Sequence, residues 1–161
     1  MHTRAPKMVL ALVATTLIAF ASNTAAQEPT AMVGTWKLNI AKSKFTPGPP
    51  PKAMTIVYTP ASEGRTTIVV DVTPAEGAAL HWEATVADDG KDAPVKGNPN
   101  ADSISSKRLD ARNGTTTWKK DGKVTATNTR KLSADGKTLT ITTKQTTADG
   151  KPRTDVQVLE K

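Results

Sequence analysis

The stretch from Asp121 to Lys151, DGKVTATNTRKLSADGKTLTITTKQTTADGK, decides the fold. Three Asp-Gly-Lys triplets, at 121–123, 135–137 and 149–151, punctuate it at even spacing. Asp-Gly supplies the positive φ of a tight hairpin turn whose twist matches the flanking strands. Between the turns the residues alternate with period two, as a half-buried strand demands. Leu139 and Ile141 oppose Thr138, Thr140 and Thr142, and after the last turn Val156 and Val158 oppose Asp155 and Gln157. The segment therefore reads as strand, turn, strand, turn, strand.

The same grammar extends toward the N-terminus. Seven of the ten glycines follow Asp, Asn or Glu: Gly64, Gly77, Gly90, Gly114, Gly122, Gly136 and Gly150. Met54, Ile56 and Tyr58 share one face of a strand, Ile68, Val70 and Val72 another, and Leu80, Trp82, Ala84 and Val86 a third, the last set opposite His81, Glu83 and Thr85. Strands are expected at 33–39, 53–59, 65–73, 78–86, 92–96, 103–110, 115–120, 123–132, 137–146 and 152–160. Ala41–Phe45 is read as one turn of helix, ended by Pro47, Gly48 and Pro49–Pro51. An antiparallel meander of this length leaves exposed edges unless it closes. Hairpin-length links favour closure over an immunoglobulin-like sandwich, which needs long crossings. The expected fold is all-β: an antiparallel up-and-down barrel of about 8–10 strands.

The segment before this ribbon has a different character. Arg4 and Lys7 precede an apolar run from Met8 to Ala21, which at 14 residues is shorter than a helical span of a bilayer requires. Small residues follow up to Ala26. This is the order of a secretory signal peptide, expected at 1–26 with cleavage after Ala26 or after Ala21, leaving the barrel domain at 27–161. The expected location is periplasmic or secreted. The 161-residue chain contains no cysteine, which excludes disulfides, thiolate metal sites and a cysteine nucleophile. Removing the leader lowers the formal net charge from +7 to +5, since it takes Arg4 and Lys7 and no acid. The remaining chain holds only 22 Leu, Ile, Val and Phe residues against 22 threonines. The threonines favour strands, and the core they leave is thin.

Val33-Gly34-Thr35-Trp36-Lys37-Leu38-Asn39 opens the barrel domain, and Gly-x-Trp on a first strand is similar to the first lipocalin motif. With Ser43-Lys44-Phe45, Asp89-Gly90-Lys91, Pro94, Gly97-Asn98-Pro99, Asp102–Asp110, Lys119–Lys123 and the later Asp-Gly-Lys turns, the chain resembles a group of small secreted bacterial lipocalin-like proteins over nearly all of the mature sequence. The resemblance implies a ligand-holding cup in which Trp36 plugs the closed end. The lipocalins' Thr-Asp-Tyr motif is absent, and no late-strand arginine is evident as the cation over that tryptophan.

Candidate site residues follow from the inner faces of the later strands. With Val124, Ala126 and Leu132 pointing in, period two brings Asn128 and Arg130 in as well; Ile104 carries Ser106 and Arg108, and Trp118 shares its face with Thr116 and Lys120. Buried charges are costly unless paired or solvated, so a water-containing cup is expected. In it Arg108 and Arg130 form a bidentate clamp for a carboxylate or phosphate head. Trp118, Trp82, Tyr58 and Asn128 complete the ligand site, the aromatics covering the apolar part. A register slip near Asn98-Pro99 would instead put Arg108 in solvent.

Other chemistry is sparse. His81 is the single histidine of the mature chain and has no clustered partner, so a surface imidazole is expected. Asp88-Asp89-Gly90-Lys91-Asp92 resembles the start of a calcium loop but lacks its later bidentate glutamate. No nucleophile elbow is present. The expected function is a non-catalytic binder of a small amphiphilic or hydrophobic ligand, a monomer with no cofactor, metal or nucleic-acid partner. The alternative is an envelope module whose Lys119, Lys120 and Lys123 contact anionic polymers or membrane through salt-sensitive attraction. An enzyme is the third and least supported class.

Overall fold

The computed structural model describes residues 31–147 and 150–161. The expected leader, 1–26, and the aspartate of the last turn, Asp149, lie outside them. Eleven strands follow one another: β1 (Gly34–Leu38), β2 (Lys44–Thr46), β3 (Ala53–Pro60), β4 (Thr66–Thr73), β5 (Leu80–Val86), β6 (Asp89–Lys96), β7 (Ser103–Arg108), β8 (Asn113–Lys120), β9 (Lys123–Leu132), β10 (Thr138–Thr146) and β11 (Pro152–Glu160). From β3 onward each pairs antiparallel with the next, and β1 bridges β3 and β11 through Lys37↔Glu160 and Leu38↔Leu159. Ten strands thus close the barrel, and closure removes the unpaired edges an open meander would present. β2 extends the ladder on β11 through Lys44, Phe45 and Thr46.

Where the helical turn was expected at Ala41–Phe45, a 3₁₀ turn covers Ile40–Lys42 and the chain returns to strand at once. The interruption is healed by side chains. Asn39 N–H donates to Val158 O at 2.8 Å, Ser43 Oγ donates to Asn39 O at 2.7 Å, and Val158 N–H donates to Ser43 Oγ at 2.9 Å. Backbone polar groups at the break are thereby kept paired.

Most expected turns are real, and Asp121-Gly122, with φ of 49° and 73°, is the tight left-handed pair a two-residue hairpin requires. Asn113-Gly114 is different. Both residues lie inside β8, and the reversal is made upstream, where the Asp110 carboxylate accepts from the backbone amides of Arg112 and Asn113. Asp89-Gly90 likewise opens β6 rather than preceding it.

The β8–β9 ladder shifts register between Trp118 and Lys119, and Val124, expected inside, is 58% exposed in consequence. β11 reverses the apolar expectation altogether. Pairing of Leu139 with Leu159 and of Ile141 with Gln157 points Leu159, Gln157 and Asp155 inward, so Val156 and Val158 lie on the other face. Trp36, Leu139 and Leu159, all with no exposed surface, seal one end of the barrel with Met32 and Leu132. Trp36 Nε1 donates to Met32 O at 2.7 Å, satisfying the indole N–H in the seal.

Candidate functional site

Above that sealed end the barrel encloses a cavity of about 630 Å³, within the range of small-molecule sites. Its mouth lies at the other end, among Asn98–Ala101 between β6 and β7, Lys120 and Thr125 beside the β8–β9 turn, and Thr146 and Thr147 at the end of β10.

The interior has two walls. On β3, β4 and β5 the alternation read from the sequence places Met54, Ile56, Ile68, Val70, Val72, Leu80 and Trp82 on the cavity. On β8, β9, β10 and β11 the facing positions are mostly polar, Thr116, Asn128, Arg130, Thr143, Gln145 and Gln157, with Trp118, Ala126 and Ile141 among them. An aromatic pair links the walls: Trp82 and Trp118 meet edge to face, with centroids 4.7 Å apart and planes at 88°. Trp82 stands on β5, whose pairing with β6 is as short as the closing β1–β11 seam, at Glu83↔Lys96 and Ala84↔Val95 only. Asn128, its amide oriented by its neighbours, accepts from Trp118 Nε1 and donates to Thr143 Oγ1, both at 3.2 Å. One edge of the aromatic pair is therefore fixed by the polar wall.

At the inner end of the cavity the polar wall becomes ionic. Arg130, 7% exposed, donates through Nη2 to Ser106 Oγ at 2.7 Å, to Asp88 Oδ1 at 3.3 Å and to Thr115 O at 3.5 Å. Ser106 Oγ donates in turn to Asp88 Oδ1. Arg108 Nη2 lies 3.6 Å from the other oxygen of the same carboxylate. Gly114 makes the arrangement possible, because it pairs with Arg108 on one side and Arg130 on the other, and a Cβ there would meet Arg130 Nη2 at 2.7 Å. Tyr58 lies beside the arginine; burial pushes its phenol above the ordinary range, and the Arg130 charge partly opposes that shift.

The cavity lining thus includes Arg130, Trp118, Asn128, Tyr58 and Trp82, but Arg108 lies behind it. The open two-arginine clamp expected from the sequence is replaced by Arg108 and Arg130 sharing Asp88. Asp88 was legible only as part of an acidic turn. Yet one further step of the β5 alternation, from Leu80 through Val86, lands on it, and its φ of 51° turns the side chain inward. A second inward carboxylate, Asp155, 4% exposed, accepts from Arg153 Nε at 3.0 and 2.9 Å and from Thr46 N–H at 3.3 Å.

The remaining candidates take surface or sealing positions. His81 stands on the outer face of β5 with Nδ1 2.7 Å from Asp71 Oδ1. Lys119 is held by both oxygens of Asp92, at 2.9 and 2.7 Å, and Lys120 lines the cavity mouth. The cation missing over Trp36 is Lys161, whose Nζ stands 4.8 Å from the ring centroid. Its parity with Leu159 carries it across the sealed end.

These features define a closed antiparallel ten-strand barrel, a lipocalin- and fatty-acid-binding-protein-like fold. Among solved structures the chain is similar to a point mutant of the fluorescent protein UnaG, with a TM-score of 0.52 and 15% identity over 81% of this chain and 96% of that one. Wild-type UnaG gives 0.49 and 14% over 80% and 96%. A redesigned beta barrel, mFAP1, bound to DFHBI, gives 0.46 and 14% over 81% and 95%. At these identities the likeness is one of fold. No protein-family model and no curated protein matches the chain.

Proposed function

We propose that the chain is an exported, non-catalytic binding protein that holds one small amphiphilic or hydrophobic molecule inside the barrel. The observation that carries this reading is the two-faced cavity of about 630 Å³, apolar along β3–β5 and hydrogen-bonding along β8–β11. A guest with one apolar side and a few polar atoms would bury the first against Ile56, Ile68, Val70 and Trp82 and meet Asn128, Thr116 and Thr143 with the second. Tyr58, Trp118 and Arg130 complete the proposed contact set, and Arg108 acts behind it through Asp88. Trp36 serves as the plug that keeps the guest from leaving through the sealed end. The leader pattern at 1–26 supports export to the periplasm or medium, with the barrel as the mature, monomeric protein.

Native mass spectrometry of protein purified from the cells that make it tests the reading. The expected result is a retained, non-covalent adduct in the mass range of a drug-sized molecule, lost when Ile68 and Val70 are both replaced by glutamate. A bare polypeptide mass, together with no uptake of neutral apolar dyes, would overturn it.

A further inference from the structure

We propose that Asp88 determines the class of ligand. By occupying the arginine pair, it restricts the inner end of the cavity to uncharged groups and leaves any anionic end of a guest at the mouth, beside Lys120. The inference rests on the reading of the cavity as a ligand site and deepens it.

Arginines at the wall of a binding cup would ordinarily invite a carboxylate or phosphate, and the sequence by itself suggests that use here. The geometry closes it off. Asp88 Oδ1 is 3.3 Å from Arg130 Nη2 and Oδ2 is 3.6 Å from Arg108 Nη2, so one internal carboxylate faces both guanidinium groups. Ser106 holds it from a third side, donating to Asp88 while accepting from Arg130. The backbone is fixed too, because Arg108 N–H donates to Asp88 O at 3.1 Å. Arg130 Nε, which has no acceptor among the described residues, is sealed from solvent and so offers nothing to an entering group.

An anionic head reaching Arg130 would have to displace Asp88 or lie against it. A head lying beside Asp88 places two carboxylates together at a buried position, where a like charge disfavours ionisation of one of them, and a head that displaces Asp88 strips that carboxylate of Arg130 and Ser106. An alcohol, ether or carbonyl meets no such penalty. The wall above the network offers it neutral partners in Thr116, Thr143 and Gln157. Lys120, at the mouth, is the one lysine on the lining among the described residues and stands where a charged head would remain solvated.

Competition between dodecan-1-ol and dodecanoate at pH 8, read by displacement of the neutral dye N-phenyl-1-naphthylamine from the full barrel domain, tests the proposal. Wild type is expected to bind the alcohol about ten-fold or more tightly than the carboxylate. The isosteric Asp88→Asn variant is expected to gain about ten-fold for dodecanoate while the alcohol changes by no more than about three-fold. Equal or tighter binding of dodecanoate by wild type, or no gain in a folded Asp88→Asn variant, overturns the role of Asp88 and leaves the cavity reading standing. Failure of wild type to bind the dye and the alcohol overturns the cavity reading itself. Should Asp88→Asn not fold, ¹³C-carboxyl dodecanoate on wild type decides: titration near the ordinary carboxylate range places the head at the mouth, whereas a head still ionised well below it places the anion on the arginines and refutes the proposal.

Discussion

Ile56, Ile68 and Val70 on one wall of the cavity, and Thr116, Asn128 and Thr143 on the other, stand on strands of similar length and pleat but are held by different forces. The first wall is stabilised by removal of apolar surface from water, a non-directional effect that tolerates a partner moving by a fraction of an ångström. The second depends on hydrogen bonds and ion pairs whose loss leaves a buried group unsatisfied. On the proposed function, the apolar wall would yield to guests of different shape, while the polar wall would select among them. The difference also locates fragility. A cavity already lies against the apolar wall, so trimming it adds little new void. The polar wall has no substitute for a missing partner.

The ionic network is the place where breaking the comparison should cost most. Asp88→Ala leaves Arg130 buried without its carboxylate, and urea unfolding is expected to show a loss of about 3–5 kcal/mol. Replacing all three charges together, Asp88→Leu with Arg108→Met and Arg130→Met, is expected to cost less than Asp88→Ala alone, because well-packed apolar groups of similar volume can replace a buried ion network. A triple variant that is the less stable of the two would show that the network contributes net stability.

The apolar side offers a sharper, smaller contrast. Leu139, fully buried in the seal, should lose about 2–5 kcal/mol as Leu139→Ala. Ile68→Ala on the cavity wall should fall at or below the bottom of that range. Both are read from denaturant midpoints at unchanged m. Equal losses would mean that the cavity wall is packed as tightly as the seal.

The smallest expected effect joins the two walls. Tyr58 stands on the apolar side but reaches Arg130, and burial raises its phenol pKa. Its folded state therefore holds a proton that the unfolded chain releases above about pH 10. This contribution is present below that pH and declines as the pH rises toward the folded value. Tyr58→Phe should flatten the alkaline limb of the stability profile relative to wild type, with little change at neutral pH. An unchanged alkaline limb would show that Tyr58 does not couple to the titration.

The apolar wall was legible because Ile, Val, Leu and Trp alternate with Thr, His and Glu along β3–β5, and only one face can be buried. The inward parity of Ser106, Arg108, Asn128 and Arg130 was legible from the same rule, anchored by Ile104 and Leu132. It failed where the chain inserts a bulge, at Val124, and where two valines outvoted one leucine, in β11. There Leu159 sets the face, because it must meet Leu139 in the seal. Gly114 reads as turn chemistry in one dimension and becomes space for a guanidinium in three.

What the sequence determined alone is the alternation of strand and turn, and with it closure. Asp121-Gly122 supplies its left-handed turn from its own two residues, and period two follows from the backbone itself. Which charges meet was decided only by the tertiary structure. Asp88 precedes β6, Ser106 and Arg108 lie on β7 and Arg130 on β9, and their distances depend on shear, register and one bulge summed around the barrel. A clamp for an external anion and a clamp already filled by an internal one have the same arginines in the sequence; the curvature that brings Asp88 between them makes the difference.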